Sequence, residues 1–326
     1  MGKLVVTSTP HIRSEETTKG IMLDVLVALA PAAFMGVLRF GFRSAAVIAV
    51  CLASCAAAEF LFEKITKKPV TTGDLSALVT GLLLAMNLPP GVPLWVPAVG
   101  GFFAIIIVKQ LFGGLGQNFM NPALAARAFL QASYPDKMSA WLLPGKGAFL
   151  ADAVSGATPL STLKYNAEGF YPQAGDYMDA LFGRIGGSIG ETCSLALIFG
   201  GAYLLLRRVI TWRIPVAYIA TFMALSGVLG RDGLFTGYPV YETLLGGVML
   251  GAFFMATDYS SSPVSNGGKI IMGIGCGVLT FIIRRFGGYP EGVCYAILIM
   301  NLFTPIIDRF SRPRVFGTGK GGFADV

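Results

Sequence analysis

The sequence is poor in charge, in histidine and in paired cysteines. Asp, Glu, Lys and Arg together make up 13% of the 326 residues, whereas soluble globular proteins carry about 25%. A soluble fold of this size needs a polar surface, which so few charged residues cannot supply. The single histidine, His11, and five cysteines without a C-x-x-C pair argue against a histidine-rich metal centre, a zinc site or a disulfide framework. We expect no metal site.

Apolar residues and glycine are abundant instead. Hydrophobic residues make up 54% of the chain and glycine contributes 42 more residues. The excess apolar surface must face lipid, which predicts a polytopic membrane protein. The net charge of +7 is scattered between apolar runs. This pattern favours a positive-inside bias of the loops and argues against nucleic-acid binding.

Ten apolar segments are candidates for spanning helices, and several are short or interrupted by glycine and proline. They are residues 21–38, 43–62, 74–88, 93–112, 121–134, 190–206, 213–230, 242–257, 268–284 and 291–307. A spanning helix needs about 20 mostly apolar residues, and fewer where the helix is broken inside the protein. The fifth segment is the weakest, because Arg127 lies within it. The expected fold class is an all-α membrane protein of about ten helices.

Lysine and arginine are distributed unequally between the loops. If the N-terminus is cytoplasmic, that side collects 15 of them, and the opposite side keeps five in its short loops. The five are Arg39, Arg43, Arg231, Arg284 and Arg285. Since basic loops favour the cytoplasm, we expect both termini to be cytoplasmic and residues 135–189 to be extracytoplasmic.

The two halves of the chain share a pattern. Residues 86–90 precede an apolar helix that leads to Phe-Gly-Gly at 112–114, and residues 255–258 precede another that leads to Phe-Gly-Gly at 286–288. Five helices per half is an odd number, so the second copy must be inverted. Such repeats usually place a ligand or ion site near their interface. The alternative is chance recurrence of Gly-Gly pairs. The expected divisions are 1–20, a first membrane repeat at 21–134, the outer segment 135–189, a second repeat at 190–307, and a tail at 308–326.

The stretch most indicative of chemistry runs from Asp152 to Thr158 and reads Asp-Ala-Val-Ser-Gly-Ala-Thr. Ser155, Gly156 and Ala157 predict a tight turn of small residues that holds the Thr158 hydroxyl outward. Considered alone, such residues more often form an ordinary loop.

The motif is similar to the flavinylation site of a family of membrane proteins, in which FMN is joined through its phosphate to the threonine hydroxyl. Residues 113–124, 251–258 and 286–292 resemble the same family, in the expected order. That family contains the B-type membrane component of the Na⁺-translocating NADH:quinone reductase and the D-type membrane component of the Rnf complex. The reductase component has a longer segment before its first span, which begins here near Ile21. The chain therefore resembles the D-type component of an Rnf ion-translocating ferredoxin:NAD⁺ oxidoreductase.

This resemblance implies a flavin-bearing electron relay within a complex that moves Na⁺ or H⁺. It implies a covalent FMN on Thr158, attached by a flavin transferase that recognises Asp152, and a non-covalent riboflavin elsewhere in the membrane domain. It further implies a urea-transporter-like fold of two inverted five-helix repeats in the lipid of a prokaryotic plasma (inner) membrane. The implied partners in the complex are the A-type and E-type membrane proteins, the G-type flavoprotein, and the cytoplasmic B-type and C-type proteins.

Candidates for the second flavin or the ion path are the glycine turns, nearby asparagines and acids in or near spans. They are Gly113, Gly114, Asn118, Asn121, Glu191, Asp258, Gly287, Gly288 and Glu291. A carboxylate in hydrocarbon costs several kcal/mol unless it is paired, so Asp258 and Glu191 rank first. Further acids at span ends are Asp24, Glu59, Asp74 and Glu242. We expect riboflavin at the repeat interface, near both Phe-Gly-Gly turns.

Two rival hypotheses concern function. A stand-alone small-solute channel or transporter would suit ten spans and inverted repeats equally well. A structural scaffold without cofactor would leave Thr158 unmodified. The segment from Asp152 to Thr158 separates these hypotheses from an electron relay, because a channel has no reason to carry it.

Overall fold

The structure is a computed structural model that describes residues 16–144, 156–165, 172–230 and 233–311, which are mostly helical. In chain order its helices are α1 (Thr18–Phe40), α2 (Phe42–Ile65), α3 (Ser76–Met86), α4 (Trp95–Phe102), α5 (Pro122–Ser133), α6 (Pro135–Met138), α7 (Pro159–Tyr165), α8 (Ala174–Phe182), α9 (Ser194–Leu206), α10 (Arg213–Val228), α11 (Pro239–Leu244), α12 (Val248–Leu250), α13 (Asn266–Phe286) and α14 (Val293–Phe310).

Three shorter features complete the described secondary structure. A 3₁₀ turn at Thr72–Asp74 precedes α3. π-Helical turns continue α4 through Phe103–Gln110 and α12 through Gly251–Met255. Leu229–Gly230 and Gly233–Leu234 pair as two short antiparallel strands, β1 and β2. The all-α expectation is therefore correct except for this small hairpin.

The helices are those of a multi-pass membrane protein. Four of them, α1, α2, α13 and α14, are long and apolar enough to cross a membrane, and α3, α4 with its π extension, α9 and α10 are shorter apolar helices. Each of the ten predicted segments contains a helix. The largest departure is the segment 242–257, where a break at residues 245–247 separates α11 from α12. Gly246 has a positive φ of 68° at this break, a conformation that favours glycine.

Helix α5 forms in spite of the arginine within it. Asn121 caps its start, with Oδ1 accepting from the amides of Ala123 (3.0 Å) and Leu124 (3.3 Å). Pro122 occupies the first turn, where its missing N–H group leaves no hydrogen bond unmade. These local signals start the helix, and the partners of Arg127 described below make its burial possible.

Helix α1 shows how lipid and protein faces are divided. Leu23, Val27 and Phe34 are exposed along one side, whereas Ala28 is buried on the other. A Cβ at Gly200 of α9 would collide with the Ala28 carbonyl. Small residues thus let the backbones of α1 and α9 approach closely, as is usual between membrane helices.

One end of the helix bundle, called face A, gathers loops that are distant in sequence. Its parts are the start of α1, the end of α14 and residues 66–75, 207–212 and 256–265. Arg207 Nη2 lies 3.2 Å from Asp24 Oδ2, and the Tyr259 hydroxyl donates to the Val209 carbonyl.

The opposite end, called face B, gathers the remaining loops. Its parts are the end of α1, the end of α13 and residues 134–144, 156–165, 183–193, 229–230 and 287–292. Arg39 Nη2 donates to the Phe182 carbonyl (3.1 Å), and Arg285 Nη2 donates to the Gly230 carbonyl (3.1 Å). Of the five arginines that the sequence analysis assigned to the side opposite the N-terminus, Arg231 is outside the described residues. The other four lie on face B.

Two half-length helices meet inside the molecule. Helix α3 enters from face A and α12 enters from face B. Asn87, after the last residue of α3, donates from Nδ2 to Met255 Sδ at 3.7 Å. Asn121 donates from Nδ2 to the Met255 carbonyl at 3.4 Å. The ends of α3, α5 and α12 thus converge between the two faces.

Candidate functional site

A cavity of about 310 Å³ lies on face B. Its walls include Thr158, Trp141, Leu160 and Tyr289, and Glu191 contributes to its polar floor. Ligand pockets in proteins measure about 300–1,000 Å³ and combine apolar walls with a few polar groups. The face B cavity has this size and composition.

Thr158 presents its hydroxyl at the wall of the cavity. The residue is half-buried and directly precedes α7. Its Oγ1 accepts from the Ser161 amide (3.1 Å) and is hydrogen-bonded to the Ser161 hydroxyl (3.1 Å). The Gly156 amide donates to the Trp141 carbonyl (3.2 Å), and Ala157 is exposed. These contacts fix the position of the hydroxyl.

Part of the motif is not described. Asp152 and Ser155 lie outside the described residues, so their expected roles in transferase recognition and in the turn stay predictions.

Helix α7 is anchored to the second Phe-Gly-Gly turn. Lys164 Nζ donates to the carbonyls of Gly287 and Tyr289, the latter at 2.7 Å. The Tyr165 hydroxyl donates to the Gly288 carbonyl at 2.9 Å. Gly287 and Gly288 therefore hold the helix that follows Thr158.

The floor of the cavity is built around Arg127. Its Nη1 donates to Glu191 Oε1 (2.9 Å) and to Asn87 Oδ1 (2.7 Å), and its Nη2 donates to Glu291 Oε2. Glu291 Oε1 accepts from the Gly247 amide at 2.7 Å. The Arg127 side chain is only 6% exposed. Because a buried charge needs partners, this cluster explains how α5 can carry an arginine at this depth.

A second arginine borders the floor. Arg284 donates from Nη1 to the Glu242 carbonyl (2.7 Å) and from Nη2 to the Leu245 carbonyl (3.0 Å). Its guanidinium also lies over the Phe222 ring, 5.0 Å from the centroid. Arg284 thus satisfies the carbonyls that the break between α11 and α12 exposes.

Several polar atoms beside the floor have no partner among the described residues. They include the Thr192 hydroxyl and the Nε of Arg127, both of them buried. Buried polar groups are normally hydrogen-bonded, and each exception calls for an explanation. Thr192 lines the cavity. Its hydroxyl is available to a polar ligand.

A smaller cavity of about 90 Å³ lies toward face A. Asp258, Asn118, Asn121 and Lys109 line it. Asp258 Oδ2 accepts from the hydroxyls of Ser260 and Ser261, at 3.1 and 3.0 Å. Asn118 donates from Nδ2 to the Met120 carbonyl at 3.0 Å.

Lys109 forms a second buried ion pair beside this smaller cavity. Its Nζ lies 2.6 Å from Glu59 Oε1 and 2.5 Å from Ser76 Oγ. Gln110 donates from Nε2 to the same Glu59 oxygen at 3.2 Å. The side chains of Lys109 and Glu59 are 3% and 1% exposed.

The structure divides the predicted site residues between the two faces. Glu191, Glu291, Gly287 and Gly288 belong to the surroundings of Thr158 on face B. Asp258, Asn118, Asn121, Gly113 and Gly114 belong to face A. The remaining acids at span ends have partners: Asp24 binds Arg207, Asp74 accepts from Ser76, and Glu242 accepts from Ser226.

The two Phe-Gly-Gly turns near which riboflavin was expected lie at opposite ends of the helix bundle, and the riboflavin position itself stays a prediction. Gly113 and Gly114 follow the face A end of the π extension of α4, with φ values of 120° and 99°. Gly287 and Gly288 lie on face B against α7. The two turns therefore do not come together in the described part of the chain.

Arg127 is the functional candidate that the sequence reasoning missed. In the sequence, Arg127 was considered only as a reason to doubt that residues 121–134 form a spanning helix. The carboxylates at the span ends could have pointed to it. A buried carboxylate needs a cation, and Arg127 is a cation within an apolar segment.

Comparisons with known proteins agree along nearly the whole chain. The model of the NQR2, RnfD, RnfE family matches residues 5–317. A protein of Acetobacterium woodii, named as the D component of a Na⁺-translocating ferredoxin:NAD⁺ oxidoreductase complex, is 50% identical over 318 residues, which cover 97% of this chain and 96% of that protein. A protein of Clostridium ljungdahlii, named as the D component of a proton-translocating ferredoxin:NAD⁺ oxidoreductase complex, is 45% identical, with coverages of 97% and 96%. The D component of an ion-translocating oxidoreductase complex of Halorhodospira halophila is 37% identical, with coverages of 96% and 95%.

Proposed function

The chain belongs to the NQR2, RnfD, RnfE family, and on this premise we propose that it is the D-type membrane subunit of an ion-translocating ferredoxin:NAD⁺ oxidoreductase complex. The names of relatives that are 50% and 45% identical support this assignment. Those two names differ in the ion that is moved, so the assignment covers Na⁺ or H⁺. The partners are the other proteins of the complex, of the A, B, C, E and G type.

Within the complex, Thr158 carries a covalent FMN, attached through its phosphate by a flavin transferase. The observation that carries this proposal is the position of the Thr158 hydroxyl at the wall of a cavity of about 310 Å³ with a polar floor. The residues fit the group: Trp141, Leu160 and Tyr289 offer apolar walls for a ring, and the unpartnered Thr192 hydroxyl offers a hydrogen bond. Bound FMN supplies one- and two-electron transfer.

Hydrogen bonds within the chain fix the position of Thr158 and leave it accessible to redox partners. Ser161 fixes Thr158 Oγ1, and Lys164 and Tyr165 tie α7 to the turn after α13. Because Thr158 lies at an end of the bundle rather than within a spanning helix, redox partners can approach it from outside the membrane.

The riboflavin that the resemblance implies does not fit the smaller cavity. That cavity measures about 90 Å³, well below the roughly 300 Å³ at which ligand pockets begin.

The two halves are inverted repeats of the urea-transporter type. Five pairs of elements run in opposite directions between the faces: α1 with α9, α2 with α10, α3 with α12, α4 with α13 and α5 with α14. Helices α1 and α9 pack on each other, as do α5 and α14. Both half-length helices, α3 and α12, end at the centre. An inverted repeat accounts for all of these features at once.

Face A is cytoplasmic and face B, with Thr158, is extracytoplasmic in the prokaryotic plasma membrane. The greater number of basic residues in the face A loops supports this orientation. Single cysteines at the exposed positions Lys68 and Lys137 test it in intact cells. An impermeant thiol reagent should label Lys137→Cys and spare Lys68→Cys. The opposite pattern would contradict the orientation.

Mass and fluorescence of the denatured protein test the flavin. The chain, produced together with its flavin transferase, should show flavin fluorescence in a denaturing gel and an added mass of one FMN. Thr158→Ala should lose both signals. Thr162→Ala, one helical turn further along α7, should keep both. Absence of the signals in the wild type would leave the channel or scaffold hypotheses, and their persistence in Thr158→Ala would refute the assignment of the FMN to Thr158.

Ion uptake driven by reduced ferredoxin tests the relay. Vesicles that contain the assembled complex should take up ions with the wild type and Thr162→Ala, but not with Thr158→Ala. Normal uptake by Thr158→Ala with verified absence of the covalent flavin would place this FMN outside the coupled path.

A further inference from the structure

Two carboxyl groups lie side by side in the floor of the face B cavity. The side chains of Glu191 and Glu291 are within hydrogen-bonding reach of each other. They come from segments that are 100 residues apart and are held together by one guanidinium, because Arg127 donates from Nη1 to Glu191 and from Nη2 to Glu291. A Cβ at Gly247 would meet Oε1 of both side chains, so the two carboxyl groups lie against the same backbone position. Two ionised carboxylates repel, and a hydrogen bond between carboxyl groups requires a proton.

The donors around the pair indicate which carboxyl carries that proton. Both oxygens of Glu291 accept from N–H groups: Oε1 from the Gly247 amide at 2.7 Å and Oε2 from Arg127. Glu191 accepts at Oε1 from Arg127 at 2.9 Å. N–H donors stabilise the ionised form of a carboxyl group. Glu291 is therefore the ionised member, and Oε2 of Glu191 is the atom left to hold a proton.

The other charged and titratable groups around the pair come from every element packed against it. They are Arg127, Arg284, Glu242, Cys294, Tyr218 and Asp136. The Glu242 carboxylate accepts from Ser226, and Asp136 is exposed at the cavity wall. In formal charge, Arg127, Arg284, Glu242 and Glu291 sum to zero when Glu191 is protonated, and the group carries one net negative charge when Glu191 is ionised.

We propose that Glu191 and Glu291 form a proton-binding site that holds one exchangeable proton on Glu191 Oε2, at the floor of the cavity beside Thr158. The proton comes from water that enters the cavity and returns to it. Glu191 lines the cavity, so its proton needs no further path through the protein. No bond to carbon is made or broken in this step.

The proton site also sets the charge that a redox group on Thr158 experiences, an extension that rests on the proposed function. Addition of an electron by the upstream donor of the complex brings negative charge into the cavity. The protonated floor carries one negative charge fewer than the ionised floor and therefore repels the added electron less, and by linkage the added electron strengthens proton binding by Glu191. Electron arrival is thereby coupled to the uptake of one proton from cavity water.

Infrared spectroscopy tests the site without any flavin. Protonated carboxyl groups absorb apart from carboxylates, so purified Thr158→Ala protein should show a carboxyl band at neutral pH that disappears at alkaline pH. The band should be lost on adding Glu191→Gln, whose amide keeps the shape of a protonated glutamate. It should also be lost with Glu291→Gln, which leaves Glu191 as the single carboxylate facing Arg127. Asp136→Asn, which alters another carboxyl group of the same cavity, should keep the band.

A redox titration of the assembled complex tests the coupling. The midpoint potential of the Thr158 flavin should fall as pH rises in the wild type and in Asp136→Asn. In Glu191→Gln, which mimics the permanently protonated state, this dependence on pH should shrink to half or less.

The outcomes of the two tests separate the two proposals. A band that survives both Glu191→Gln and Glu291→Gln, or no pH-sensitive band at all, would overturn the proton site. Loss of the band together with a wild type that carries no flavin would uphold the proton site and refute the proposed function. If Glu191→Gln fails to fold, the band in Glu291→Gln decides.

Discussion

Two of the buried basic side chains, Lys109 and Arg127, lie near opposite faces, and their surroundings differ in one important respect. Lys109 contacts Glu59 and Ser76, so it joins α2, α3 and α4 within the first half of the chain. Arg127 contacts Asn87 from the first half, together with Glu191 and Glu291 from the second. One cluster therefore stabilises a single half, and the other fastens the two halves together.

The chemistry of the two cations fits this difference. Lysine is a compact point charge, which suits one carboxylate and a hydroxyl. Arginine has a planar fork of N–H groups that can engage two carboxylates at once. The comparison indicates that the contact between the two halves of the chain requires an arginine. The same contacts form the polar floor of the cavity beside Thr158.

Loss of Arg127 should have the largest effect. Arg127→Ala leaves Glu191 and Glu291 buried without the guanidinium that binds both, and breaking a buried pair costs about 3–5 kcal/mol. The thermal midpoint of the detergent-purified protein should drop sharply, and separation of the two halves should expose the protein to proteolysis. Arg127→Lys keeps the charge but loses the planar fork of N–H groups. Its thermal midpoint should lie between those of Arg127→Ala and the wild type. An unchanged midpoint for Arg127→Ala would contradict the fastener role.

Loss of Lys109 should cost less, because only the Glu59 carboxyl group loses its cation, whereas loss of Arg127 affects two carboxyl groups. We expect about 3 kcal/mol for Lys109→Met, the lower end of the range for a broken buried pair. Removal of both partners in Lys109→Met/Glu59→Leu should recover most of the midpoint, since apolar replacement of a buried ion pair is often nearly neutral. A double variant that is less stable than the single one would contradict this account.

Substitution of Thr158 tests whether this residue also contributes to the stability of the fold. As a loop residue it should tolerate change within about 0.5 kcal/mol. The structure revises this expectation, because Oγ1 accepts from the Ser161 amide at the start of α7, and loss of such a cap costs about 1 kcal/mol. Thr158→Ala should lower the midpoint slightly in flavin-free protein, and Thr158→Ser, which keeps the hydroxyl, should not. Equal loss in both variants would argue against the cap.

Among the ion pairs compared here, the surface pair between Arg207 and Asp24 should contribute least to stability. The Arg207 side chain is 60% exposed, and exposed ion pairs contribute little to stability because solvent screens them. Arg207→Ala should therefore shift the midpoint least, and added salt should erase the difference. A loss as large as that of Lys109→Met would show that burial is not what distinguishes these pairs.

The helices were predictable from the sequence because each is long or apolar enough to be recognised locally. Apolar runs located α1, α2, α13 and α14, and the half-length helices were visible as shorter runs. The break between α11 and α12 was not predicted, since Gly246 in an apolar run gives no sign that the backbone turns there. The site was predictable in part: the motif pointed to Thr158, but no local pattern pointed to Arg127.

The sequence by itself determined that this chain is a multi-pass membrane protein and which loops share a face, because hydrophobicity and charge act on each segment independently. It also identified the Thr158 motif, whose residues are consecutive. Only the tertiary structure decided that Glu191, Glu291 and Asn87 converge on Arg127 beneath Thr158, and that the two Phe-Gly-Gly turns lie apart. Those facts depend on how separate helices pack, and the pairing of distant buried charges leaves no periodicity in the sequence from which it could be inferred.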